Sequence, residues 1–205
     1  MSPPSLNRVE IELHLKNMVS KSCVHIVRQQ VESFDDVNII SLRIGKLILD
    51  APAPEFDVIE LEEKLKEVGF PTILNAEQRI VEQIKIASIE LVHQAYNSNS
   101  LIRNSDYLAR KLEIPYPKLS KIFSDETGAT LEQYLIYLKV EKIKELITYD
   151  EHSMSEIAFM MGYSSVQYLS TQFKKATGIT PSEYKKLEEK PRIPLEDVIQ
   201  YYQAS

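Results

Sequence analysis

Five side chains of the C-terminal third, Val166, Gln167, Ser170, Thr171 and Lys174, fall on the exposed face of a helix about two turns long. Their types suit the reading of base edges rather than covalent chemistry. A glutamine amide bonds bidentately to adenine, and Val166 or the Thr171 methyl can rest against a thymine methyl. Lys174 supplies a charge for phosphate, while Tyr168 beside them either positions the helix or is half-buried. An earlier set, Lys118, Ser120, Lys121 and Ser124, repeats the theme, with Lys121 able to read guanine or clasp phosphate. A third candidate is Cys23, with Met18 five residues before it, a thiolate and a thioether suited to a soft cation. No G-x-S-x-G, P-loop, H-E-x-x-H or suitably placed carboxylate pair is present, and four histidines and one cysteine leave little for catalysis. The expectation is a protein that is not an enzyme.

Each polar set by itself would be an ordinary solvated helix face. The elements expected around it change that. Ser153 and Glu156 form an S-x-x-E capping box, so a helix begins there with Ile157, Ala158 and Met161 inward. Gly162 allows a left-handed turn. Ser164 and Gln167 are expected to cap the next helix, with Leu169 and Phe173 pointing back at the first. Two helices crossing at a small residue such as Ala158 make a helix-turn-helix over about 153–176, whose second helix enters a major groove of double-stranded DNA. An equivalent unit spans about 105–126, with Leu108, Ala109, Leu112, Leu119, Ile122 and Phe123 inward. Its turn carries Glu113, its second helix starts on Pro115 and Pro117, and it ends in Asp125-Glu126, so it is expected to be the weaker reader. Thr130 and Gln133 cap a helix to about 148 that separates the two units. A long apolar-striped helix over 75–97 precedes them, Thr180 and Glu183 cap a closing helix, and the tail 191–205 offers Val198, Tyr201 and Tyr202 for docking.

EIAFMMGYSS, the following QFKKATGITPSEY and the preceding ITYD resemble the second helix-turn-helix of the AraC family of bacterial transcription regulators. The segment around Leu108–Phe123 is similar to that family's first unit, with Glu113 where glycine is usual. The resemblance implies an all-α double helix-turn-helix domain over 75–190. It also implies recognition helices about 34 Å apart that meet successive major grooves on one side of the duplex. The protein is identified by this resemblance as a cytoplasmic DNA-binding regulator.

After a flexible lead-in over 1–8, residues 9–74 read differently. Val9, Ile11, Leu13 and Leu15 alternate with polar residues as in a half-buried strand. A helix is expected over Cys23–Ser33 with Cys23, Ile26, Val27 and Val31 inward. Strands follow over Val37–Ile44 and Leu47–Leu49 around a hairpin at Gly45-Lys46, then a break at Pro52 and Pro54, a helix over Asp57–Val68, and a last strand over Phe70–Leu74. The order βαββαβ is ferredoxin-like, so the whole chain is expected to pair an α+β domain with an all-α one. NMVSKSC, DDVNIISL and EKLKEVGFPTI resemble the heavy-metal-associated domains of metallochaperones, which bind metal through G-M-x-C-x-x-C. Met18 and Cys23 take motif positions, but Ser20 replaces the first cysteine. One thiolate cannot make a two-sulfur Cu(I) site, so no cofactor is expected and Cys23 is read as packing its helix. Two protomers, each giving one Cys23, would restore such a site in a homodimer.

The net charge of −6 sits unevenly: 8 Lys/Arg against 12 Asp/Glu in 1–74, but 15 against 16 in 75–190. A nearly neutral DNA-binding part predicts modest non-specific affinity. It is also the feature that favours the alternative, a metal carrier whose helical part binds a protein. No apolar run approaches the roughly 18 residues that span a bilayer, so no membrane partner is expected.

Overall fold

The computed structural model describes residues 7–94 and 103–204. The chain divides into two compact units, 1–86 and 87–205.

Unit 1 starts with β1 (Asn7–His14), α1 (Lys21–Val31), β2 (Asn38–Arg43), β3 (Lys46–Ala53) and α2 (Val58–Glu67). The three strands form an antiparallel sheet in the order β1-β3-β2. Gly45, at φ 78°, turns β2 into β3 where Arg43 pairs with Lys46. β3 runs on through Pro52, past the break expected there. Its pairing with β2 stops at Asp50, so from that point only β1 flanks it and a proline is tolerated. Leu13, Leu15, Leu47 and Leu49 from the sheet pack with Val27, Val31, Leu61 and Leu65 from the helices. Each of these leucines contributes roughly 1.5–3 kcal/mol by leaving water.

Two expectations are corrected in this unit. Ile26 points outward, 38% exposed, and Val24 packs against the core instead, because Val24, Val27 and Val31 share the stripe facing the sheet. The strand expected over Phe70–Leu74 is reduced to one bridge, Leu15 to Thr72, flanked by Lys16 N to Pro71 O (3.0 Å) and Ile73 N to His14 O (2.8 Å). Pro71 brings no donor, and Leu74 is left 89% exposed, so pairing cannot propagate.

α3 (Ala76–Gln94) runs from unit 1 into unit 2, with Val81, Ile84, Ala87 and Val92 buried along it. Its expected continuation over 95–97 and the SNS segment after it lie outside the described residues. Unit 2 continues with α4 (Asn104–Leu112), α5 (Tyr116–Thr127), α6 (Leu131–Tyr149), α7 (Met154–Met160), α8 (Val166–Thr177), α9 (Pro181–Lys185) and α10 (Val198–Ala204). α6 buries ten residues, eight of them Leu, Ile, Val or Tyr and two the charged Glu141 and Lys144, and this makes it the hub on which α5, α8, α9 and α10 pack. Three capping boxes, Thr130/Gln133, Ser153/Glu156 and Thr180/Glu183, form as the sequence predicts. The fourth does not. Ser165, not Ser164, caps α8 by accepting from Tyr168 N at 3.1 Å, because Gly162 and Tyr163 use one more residue to complete the turn.

An internal repeat with a 50-residue offset runs through unit 2. Phe123, Thr127, Gly128, Thr130, Gln133 and Tyr134 are matched by Phe173, Thr177, Gly178, Thr180, Glu183 and Tyr184. In both copies the threonine hydroxyl donates to the phenylalanine carbonyl, at 2.7 and 2.8 Å, and a glycine closes the helix at φ 72° or 80°. In both, the phenylalanine meets the tyrosine of the following helix, with ring centroids 5.1 and 5.7 Å apart.

Candidate nucleic-acid interface

α8 buries Leu169 and Phe173, and the remainder of its surface follows from that. Gln167, Thr171 and Lys174, spaced by four and three residues, form its exposed stripe. Val166 and Ser170 are half-buried at the flank, so of the five expected residues three stand clear and two border that stripe. The Thr171 hydroxyl donates to Gln167 O at 2.9 Å, which leaves its methyl as the outward group. The first turn holds no acid and the last holds Lys174 and Lys175, so the helix is electrostatically open to phosphate. Tyr168 is 51% exposed at the start of the helix, its ring edge-on to Tyr163 at 5.9 Å. Burial, with Tyr168 alongside, pushes the Tyr163 hydroxyl up to about 12.

Two residues that sequence reasoning missed, Lys139 and Tyr163, set how α8 is held. Lys139 of α6 donates to Met161 O at 2.9 Å, the carbonyl that ends α7, and its ammonium lies 5.2 Å from the Tyr163 ring centre. Burial holds this lysine below its ordinary value. No local signal marks this lysine, because its partner is a backbone carbonyl 22 residues further along the chain.

α5 presents its equivalent face differently. Lys118 is exposed, but Ser120 and Ser124, expected to be exposed, are half-buried because each adjoins the Leu119, Ile122 and Phe123 stripe. Lys121 is paired with Asp125 at 2.7 Å. Such an exposed i,i+4 pair contributes only about 0.3–0.5 kcal/mol, so a phosphate can compete for the lysine. α5 lacks a side-chain cap, starts on Pro115, and has no basic residue in its last turn. Tyr116 partly compensates, donating its hydroxyl to Glu132 of α6 at 2.7 Å; burial and that carboxylate hold the phenol well above its ordinary value. Glu113 sits at φ 56°, the left-handed turn residue of this unit.

The Cys23 candidate lies apart, in the first turn of α1. Its Sγ is 3.4 Å from Ser20 Oγ. Burial raises the thiol, but hydrogen bonds from Ser20 and the backbone at Val19, Ser20 and Cys23 outweigh it and leave the thiol below its ordinary value. Met18 is fully buried, its Sδ accepting from Gly45 N at 3.4 Å, so its sulfur belongs to the core. His14 contacts Glu12 at 2.9 Å and His25 is exposed on α1. Among the described residues no group of three or more His, Cys, Asp or Glu could hold a metal. The donor set does not fit a two-thiolate site.

The helix-turn-helix domain family matches residues 108–187, which contain both α5 and α7–α8 and the end of α4. Within that stretch the chain carries a helix-turn-helix domain. The xylose operon regulatory protein of Escherichia coli (strain K12) is 30% identical over 127 residues, 60% of this chain and 32% of that protein. The Msm operon regulatory protein of Streptococcus mutans is 27% identical over 147 residues, 71% of this chain and 47% of that one. The chain thus spans about a third to a half of these relatives. The solved C-terminal domain of AraT, a response regulator from Geobacillus stearothermophilus, is 26% identical with a TM-score of 0.47, covering 58% of this chain and 92% of that domain. No described helix is long and apolar enough to cross a membrane.

Proposed function

We propose that the chain is a sequence-specific transcription regulator whose helices α5 and α8 enter successive major grooves of double-stranded DNA. The observation that carries this is the 50-residue repeat, two helix-turn-helix units at the two ends of α6. With 19 residues, α6 is about 28 Å long, comparable to the roughly 34 Å between successive major grooves. Gln167 reads a base, with Thr171 and Val166 contacting a methyl group; Lys174, Lys118 and Lys121 hold phosphates; Ser170, Ser120 and Ser124 border the contact. Unit 1 is a ferredoxin-like domain in the cytoplasm that senses a signal or mediates self-association as a homodimer. The order β1-β3-β2, with the Leu15–Thr72 bridge on the other edge of β1, supports that architecture. Cys23 packs α1 and does not hold a resident metal.

Selecting genomic fragments with the purified chain tests the proposal. One preferred sequence with two protected grooves is expected, and Gln167→Ala should relax preference at one position. Retention of no fragment at any salt concentration would refute DNA binding. For Cys23, stoichiometric Cu(I) binding by the monomer that is lost in Cys23→Ser would refute the packing role.

A further inference from the structure

The two readers are built alike and finished differently. Beyond Lys190 the chain continues through residues outside the stretch matched by the helix-turn-helix family, and it folds back on α6. Arg192 Nη2 donates to Glu145 Oε2 at 3.0 Å and Ile193 N donates to Glu141 Oε2 at 2.9 Å. Val198 is wholly buried, and Tyr202 stacks on Tyr137 at 4.8 Å and 23°. The Tyr202 hydroxyl donates to Glu141 Oε1, which also accepts from Lys144 at 2.7 Å. Glu141 and Lys144 are 0% and 4% exposed, so this ion pair is buried and the tail supplies two of the donors that satisfy its carboxylate.

The tail then reaches the first reader. Gln203 Nε2 donates to Gly128 O at 2.9 Å, and Gly128 is the left-handed residue that closes α5. At its counterpart Gly178, closing α8, no atom of the described residues lies within 4 Å of where a Cβ would stand, whereas at Gly128 the Gln203 amide is there at 4.0 Å. The reader that receives this contact is the one in need of it. α5 has no side-chain cap at its start, while α8 has Ser165. Helix ends leave backbone groups without intrahelical partners, so a contact from outside at either end adds to how firmly a helix is held.

We propose that Pro191–Ala204 is a positioning element for the first reader. It ties the end of α5 to α6 and so sets the angle at which Lys118 and Lys121 meet DNA. The tail touches no nucleic acid in this scheme; it acts on α5 through the Gln203 bond to Gly128 O and on α6 through Glu141, while on the α8 side its contact is Pro191 O, at its very start, accepting from the Tyr184 hydroxyl of α9 at 3.1 Å. The proposal rests on the DNA-binding function above.

The test uses the full chain on a fragment it has itself selected, with the α8 half-site marked by the position at which Gln167→Ala relaxes preference. Footprints of both half-sites are compared for Gln203→Ala, Tyr202→Phe and a chain ending at Lys190, with circular dichroism melts alongside. Gln203 is exposed, so Gln203→Ala removes one contact without opening the core. It should weaken protection of the α5 half-site by about two- to tenfold and leave the α8 half-site unchanged. Tyr202→Phe keeps the stacking but loses a hydrogen bond to a carboxylate, and should weaken the same half-site roughly tenfold or more. Equal loss at both half-sites would make the tail a general stabiliser and overturn the proposal, as would unchanged footprints. A full chain that selects no fragment would instead bring down the DNA-binding function, and the tail's role with it.

Discussion

Two copies of one motif, α4–α5 and α7–α8, sit 50 residues apart in this chain and differ in almost everything except how they fold. The shared residues are those that shape the helix end: a phenylalanine in the core, a threonine that bonds back to it, a closing glycine and a capping threonine. The surfaces have diverged. Where α8 carries Gln167, Thr171 and Lys174, α5 carries Pro117, Lys121 and Ser124, and Lys121 is already paired with Asp125. Packing tolerates few substitutions because a lost methylene leaves a void, whereas an exposed stripe is free to vary with what it contacts. The comparison teaches that one scaffold serves twice while the exposed faces it carries differ.

If the two copies are equivalent in their cores, Phe123→Ala and Phe173→Ala should each cost about 3–5 kcal/mol in chemical denaturation, the largest effects expected. A near-neutral result at one of them would break the equivalence. The surfaces should separate the copies next. Gln167→Ala should cost about 1–3 kcal/mol on the preferred sequence, measured in a binding-site library. Lys174→Ala should weaken all sequences alike and by more than Lys121→Ala, on one fragment in one buffer. The reverse ranking would mean that α5 anchors the complex.

The caps come below these. Thr130→Ala and Thr180→Ala should each destabilise by about 0.5–2 kcal/mol, read as shifted melts. The smallest effect concerns acid. The Thr180 capping box returns a carboxylate, Glu183, where its counterpart at Thr130 returns an amide, Gln133. Hydrogen bonds from the Thr180 backbone and hydroxyl hold Glu183 below its ordinary value of 4.5, and Ser153 does the same for Glu156. A depressed carboxylate stabilises the fold fully above 4.5, and that contribution is lost as pH falls through the folded value. Glu183→Gln should therefore flatten the loss of stability below 4.5, followed by melts across that range. An unchanged acid slope would show that this cap carries no linkage.

Much of the site was legible from residue types alone. Ser153 with Glu156, Gly162, and the Leu169–Phe173 spacing are local signals, and local signals are what a sequence displays directly. The cap of α8 was misplaced by one residue because Ser164 and Ser165 offer the same hydroxyl, and only the length of the turn chooses between them. Ser120 and Ser124 looked exposed because a helical wheel assigns faces but not how far neighbouring side chains spread. Lys139 was passed over because its partner, Met161 O, is a backbone carbonyl 22 residues away. The 50-residue repeat was present in the letters, in the two T-G-x-T segments each preceded by phenylalanine and followed by tyrosine.

By itself the sequence determined the helix-turn-helix units, the three capping boxes at Thr130, Ser153 and Thr180, the unequal charge and the single thiol, because each depends on residues within a few positions of one another. Tertiary structure alone decided that Phe70–Leu74 would not complete a strand, since edge pairing depends on what flanks it. It also decided that Met18 sulfur belongs to the core and that the tail closes over α6. Glu141 and Lys144 look like any i,i+3 pair on a solvated helix until Tyr202, 61 residues on, supplies the hydroxyl for a carboxylate removed from water. The cost of burying a charge is set by its surroundings, and those surroundings are assembled only when distant segments meet.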